Sequence, residues 1–188
     1  MADPKIYDFD PRNLPQDVLA AIGLAMAASA QTESAIEMAI GGCLGLNVDA
    51  AAAVTTHMPA PLRDHVLRAA AEIRIENLAV LDELDRILDH IKNEVQPRRN
   101  AIAHNTWCRD PDTGEVFVVR QTARGSVDAE LIPMPIDKIK ADGLIIYNAG
   151  LEMIDFIANN DLGPTYFPAP PRAHKSKAAR KKRRSNPL

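Results

Sequence analysis

Apolar positions recur along most of this chain in steps of three and four, the period of a helix with one buried face. From Pro15 to about Leu44, an Ala-rich stretch keeps Leu19, Ile22, Met26, Ile36, Ile40 and Cys43 near that spacing, which predicts one long helix. Asn13 stands where it can cap this helix. Pro15 and Asp17 fall in a first turn that tolerates a missing N–H and favours negative charge. Small residues (Ala25, Ala28, Ser29) allow close contact with another helix. Gly41, Gly42 and Gly45 end the helix. Asn47 can cap a short helix from Val48 to about Thr56, which Pro59 and Pro61 stop. A third helix is expected from about Leu62 to Ile73, with Leu62, Val66 and Ala69 or Ala70 inward. The clearest pattern runs from about Glu76 to Val95. There Leu81, Leu84, Leu88, Ile91 and Val95 share a face, while Asp82, Asp85, Arg86, Asp89 and Lys92 point away. Those acidic residues read as a solvated face with i,i+4 partners such as Asp82–Arg86.

Pro97 marks a boundary, either a kink or the first residue of a new helix. From Thr106 the period changes to two. Thr106–Arg109, Glu115–Gln121 and Ser126–Ile132 read as three short strands, with turns at 110–114 and 123–125. Pro133 and Pro135 close this meander. A last helix from about Ile136 to Asn159 carries Ile139, Ile146, Met153 and Ile157 on one face, weakened by Gly143 and Gly150. The expected fold is therefore mainly α, an antiparallel helical bundle with a small three-stranded antiparallel β-meander before the last helix. Residues 1–13 form an extended arm and 14–162 the helical domain, with the β insertion at about 106–132. Residues 163–188 are a proline-rich spacer and a basic tail, both expected to be disordered in isolation.

Charge sharpens that division. The net charge is −3, from 22 Lys/Arg against 25 Asp/Glu. From Arg172 onward there are eight Lys/Arg and no acid, which leaves residues 1–171 at −11. A basic arm on an acidic body is suited to nucleic acid, and Arg180, Lys181, Lys182, Arg183 and Arg184 are the tail residues assigned to it. The same run also fits a solubilising tail, a partner-binding arm or an import signal. Cys43 and Cys108 lack metal-ligand spacing and read as free thiols of a reducing compartment. The longest uncharged apolar run, Val18 to Ala30, is too short to span a bilayer. No membrane association and a cytoplasmic location follow as expectations.

The candidate chemistry lies in Pro97-Arg98-Arg99-Asn100-Ala101-Ile102-Ala103-His104-Asn105-Thr106-Trp107. On a helix, Asn100 and His104 lie about 40° apart, whereas Arg99 projects about 140° from His104. Arg99 must then bend around or serve a neighbouring site, which makes a cleft shared by two chains attractive. His104 is suited to general acid or base work near neutral pH, Arg99 to holding a phosphate, and Asn100 to orienting His104 or the attacking hydroxyl. Arg98 adds a second cation for nucleic acid. Trp107 reads as a core or hairpin anchor. Cys108 has no neighbour that would make it a nucleophile. No phosphate-binding glycine loop, Ser-His-Asp order or zinc pattern is present.

Arg99, Asn100 and His104 resemble the Arg-polar-x3-His motif of the HEPN superfamily, all-helical domains that include many RNases of toxin and antiviral systems. The wider Arg-Asn-x-x-Ala-His-x-x-Trp string is similar to a bacterial group of small HEPN-like proteins. The likeness covers roughly 15–160 in layout and 99–107 in specific residues. It implies a bundle of HEPN type and a homodimer whose motif helices face each other. It also implies RNA cleavage without metal or other cofactor, leaving a 2′,3′-cyclic phosphate. Glu33 and Glu37 would be polar supports, and an antitoxin or another protein a possible partner. The β-meander departs from the four-helix core of that family. Two further readings stay open: a non-catalytic module that binds RNA or protein, and a structural helical oligomer. A nuclease predicts both His104 side chains lining one solvent-open cleft across a two-fold axis, a binding module predicts a basic surface without that convergence, and a scaffold predicts His104 buried and satisfied.

Overall fold

The structure is a computed structural model that describes residues 6–123 and 127–165. Beyond these lie part of the second hairpin turn, the basic tail and its assigned residues Arg180, Lys181, Lys182, Arg183 and Arg184. Helix α1 spans Gln16–Cys43, α2 Val48–Thr55 and α3 Ala60–Arg74. Helix α4, Leu78–His90, continues through a π turn at Ile91–Val95 into α5, Gln96–His104. Strands β1 (Thr106–Arg109), β2 (Val116–Ala123) and β3 (Val127–Pro133) precede α6 (Ile136–Asn159). Among the described residues, no helix is long and apolar enough to cross a membrane.

Both ends of α1 have identifiable causes. Asn13 does not cap it. Its amide instead donates to the Asp8 carboxylate at 3.0 Å, and Pro15 takes the cap position without a side-chain bond. At the other end, Gly45 adopts φ +64°, Leu46 N–H reaches the Gly41 carbonyl at 2.8 Å, and Gly45 N–H reaches that of Gly42 at 3.0 Å. This is the Schellman pattern, which satisfies carbonyls that the helix leaves over.

α1 packs along α6, and the pair departs from the expected antiparallel bundle. Gly143 faces Ala25, and Gly150 faces Thr32 seven residues further on in both helices, so α1 and α6 run parallel. The Thr32 hydroxyl is shared between the carbonyls of Ala28 and Ile146, each at 3.1 Å. Gly143 and Gly150 are thus not merely weak points of a helix. They let two backbones approach. Ala25, Ala28 and Ser29 are buried within the single chain. Fully buried Ile139, Ile146 and Met153 of α6 line the core with Leu67 of α3 and Leu84, Ile87 and Leu88 of α4. Each such side chain contributes about 1.5–3 kcal/mol by burial alone.

α3 turns part of the expected face inward: Ala70 is buried and Val66 packs against the core, but Leu62 and Ala69 are exposed, and Arg63, Leu67 and Ala71 are buried instead. The acidic face of α4 is also more engaged than expected. Asp85 and Asp89 both pair with Arg68 of α3, and Arg86 pairs with Glu152 of α6 at 2.6 Å rather than with Asp82.

The sheet has order β1-β2-β3, antiparallel throughout, with Trp107 opposite Val118 and Val118 opposite Ile132. Val116 and Val118 point to the core, whereas Cys108, opposite Phe117, is buried on the other face of the sheet. The N-terminal arm adds to its edge through paired backbone bonds between Asp8 and Arg109, at 2.8 and 2.9 Å. Three strands form the crossover that starts α6 at the same end of the molecule as α1. A Cβ added at Gly23, mid-helix in α1, would meet no other atom within 4 Å. Gly23→Ala is therefore expected to stabilise by about 0.5–1 kcal/mol, a rise of about 1–4 °C in a thermal melt. An unchanged or lowered melting temperature would contradict an open, regular helix there.

Candidate functional site

The motif sits on α5, whose start is shaped by Pro97. Proline lacks an N–H, and its ring collides with the carbonyl four residues back. Just before it, the backbone widens to the π form, with the Gln96 N–H reaching the Ile91 carbonyl. The helix therefore resumes with Pro97 in its first turn. π turns of this kind recur at functional sites. The other end of α5 is closed by the residues that follow the motif histidine. The Asn105 amide donates to the Ala101 carbonyl at 3.1 Å and the Trp107 indole to that of Ile102 at 3.0 Å. Both carbonyls belong to the last turn, where intrahelical donors run out. His104 thus stands exposed at a corner whose backbone is held from both sides.

Arg99 does bend around, and a single chain is enough. Its Nη1 lies 3.1 Å from Asn100 Oδ1 and 3.0 Å from His104 Nε2, and its Nη2 is 3.2 Å from Glu33 Oε1. Arginine has donors only, so Nε2 is the accepting atom when this contact is a hydrogen bond. The long Arg side chain overcomes the angular offset that pointed to a cleft shared between chains. His104 is exposed, contrary to what a scaffold role predicts.

Behind this trio lies a chain of charges. Glu33 Oε2 receives Arg63 Nη1 at 3.2 Å, and Glu37 Oε1 pairs with Arg63 Nη2 at 3.0 Å. Arg63 is only 9% exposed. It fixes the two carboxylates, and Glu33 in turn fixes Arg99. Glu33 therefore touches the trio directly, while Glu37 meets only Arg63, the residue that links the two carboxylates and that sequence reasoning missed. The only signal for it was a cation at a position of α3 that shares a face with Leu67 and Ala70.

Arg98 is occupied elsewhere. Its guanidinium binds the Glu94 carbonyl and carboxylate at 2.6 and 2.7 Å and the buried Asp142 of α6 at 3.2 Å. It anchors α5 to α6 and would need to leave two carboxylates to meet nucleic acid. Trp107 is a half-buried anchor, as its pattern predicted. Cys43 and Cys108 are buried, and burial pushes both thiols up, away from the thiolate.

A cavity of about 230 Å³ opens beside the trio, between α1, α3 and the α4–α5 run. Arg63, Arg99 and Asn100 stand in its wall. Comparison with known protein families, with curated proteins and with solved structures finds no match. What can be said of this site rests on its own geometry.

Proposed function

We propose that the protein is a metal-independent endoribonuclease of HEPN type, acting as a homodimer in the manner of a toxin or defence effector. The main support is one arrangement: Arg99 holds His104 and Asn100 together at an exposed corner while Glu33 steadies it from behind. A phosphate arriving at Arg99 draws Nη1 away from His104 and frees the Nε2 lone pair. His104 then accepts the proton of the ribose 2′-OH as its oxygen attacks phosphorus. The bond to the 5′-oxygen breaks, a 2′,3′-cyclic phosphate forms, and the leaving oxygen takes a proton from water or from His104 of a second copy. Arg99 stabilises the charge that builds on the phosphoryl oxygens. Asn100 keeps Arg99 and the reacting groups in register.

The segregated charge of the sequence favours a second reading, a non-catalytic module that binds RNA or a protein. Incubation of the full chain with mixed structured and single-stranded RNA in EDTA separates the two. Cleavage with cyclic phosphate ends supports the nuclease. Salt-sensitive binding that leaves the RNA intact supports the module.

A further inference from the structure

We propose that the cavity beside Arg99 seats one base of the RNA substrate, adjoining the phosphate that Arg99 holds; this rests on the ribonuclease reading. The placement comes first. Arg99 and Asn100 belong both to the trio and to the cavity wall, so a base inside would adjoin a phosphate held by Arg99. The floor is apolar, made by Ile36 of α1, Leu88 of α4 and Ile91 and Val95 of the π turn. Ser29 and Gln96 add polar groups at its sides. That combination, an apolar body with a few placed polar groups, suits a flat heterocycle with hydrogen-bonding edges. A cavity of about 230 Å³ is below the usual range for a drug-sized ligand and admits one such ring system.

Charge and planarity agree with this occupant. Arg63, Lys92 and Arg99 line the cavity against Glu33 and Asp64. Glu33 is already bridged by Arg63 and Arg99, and Asp64 pairs with Arg68. The terminal nitrogens of Arg63 are engaged edge-on by Glu33 and Glu37, which fixes its guanidinium plane. A fixed guanidinium plane in a wall is a stacking platform for an unstacked RNA base. The cavity also owes its shape to the π turn that Pro97 imposes, so the motif and the pocket share one structural cause.

The test uses the full chain with the four ribonucleoside 5′-monophosphates and, as the base-free probe, ribose 5-phosphate. At least one nucleotide is expected to bind about tenfold more tightly than ribose 5-phosphate, within what stacking of one base supplies. Ala60→Trp plugs the exposed rim of the cavity and touches none of the trio. It should erase that preference and raise KM for RNA about tenfold at unchanged kcat. Should Ala60→Trp fail to fold, Ser29→Leu narrows the same cavity from within and decides. A wild-type protein without base preference, or a preference that survives in both folded variants, overturns the base site. His104→Ala should keep the preference while losing cleavage. A wild type that prefers a nucleotide but never cleaves RNA overturns the ribonuclease reading alone, whereas a cleaving enzyme indifferent to the base overturns the pocket alone.

Discussion

His104→Ala is expected to lower RNA cleavage by about 10²–10⁴-fold, the usual contribution of a positioned acid or base. The loss should fall on kcat, because His104 lies outside the cavity lining and phosphate binding rests on Arg99. Folding should be nearly untouched. The side chain is exposed at the end of α5, and that end is capped by Asn105 and Trp107 rather than by the imidazole. Exposed substitutions of this kind stay within about 0.5 kcal/mol. Equal melting temperatures and equal oligomeric state with cleavage gone is the expected pair of results. Arg99→Lys serves as the companion variant. A lysine keeps the charge but lacks the planar fork that spans Glu33, Asn100 and His104 together, so it should not rescue activity. Unchanged cleavage in His104→Ala would remove the proposed chemistry altogether.

A large stability effect is expected at Gly150. A Cβ there would stand 2.8 Å from Thr32 Oγ1 and 3.4 Å from Thr32 Cα. The hydroxyl cannot swing away freely, because its hydrogen is shared between the Ala28 and Ile146 carbonyls. Gly150→Val gains a few tenths of a kcal/mol in helix propensity, roughly the difference between the two residues. Against this stand the overpacking of α1 on α6 and the loss of the Thr32 bond, about 1–3 and 0.5–1.5 kcal/mol. A net loss of about 1–4 kcal/mol follows, seen as a melting temperature lowered by about 2–16 °C. Gly150→Ala should fall between wild type and Val. A Val variant as stable as wild type would show that the two helices do not meet at this point. Set beside Gly23→Ala, the pair separates the two reasons a helix carries glycine.

Much of the fold was legible because its signals are local. Steps of three and four put Ile139, Ile146, Met153 and Ile157 on one face of α6, and all four are buried. The change to period two placed β1 at its observed bounds, and β2 and β3 within two residues of theirs. Gly45 ended α1 because a left-handed residue is needed there and glycine takes it without strain, whereas Gly41 and Gly42 lie inside the helix, where Ala51 and the Leu162 backbone leave no room for a Cβ. The candidate trio was legible for a similar reason: three chemically distinct side chains within six residues need no knowledge of the remainder of the chain. Asn13 misled because a good cap residue was claimed by a stronger acceptor, the Asp8 carboxylate, which only the folded arm brings near.

By itself, then, the sequence determined the helical and extended segments, the buried faces of α4 and α6 though not that of α1, where Leu19 is exposed, and the identity of the three side chains that meet at α5. Tertiary structure alone decided how they meet. Parallel packing of α1 on α6 depends on two glycines matching Ala25 and Thr32 at a distance of 118 residues, a register that no local pattern encodes. The inward turn of Arg63 depends on Glu33 and Glu37 from another helix, since burying a guanidinium is costly until carboxylates are there to receive it. Arg98 and Arg99 are neighbours in the chain, yet one is drawn to Asp142 and the other to Glu33. Adjacent positions on a helix point about 100° apart, and what stands at the end of each direction is set by the packing of the whole chain.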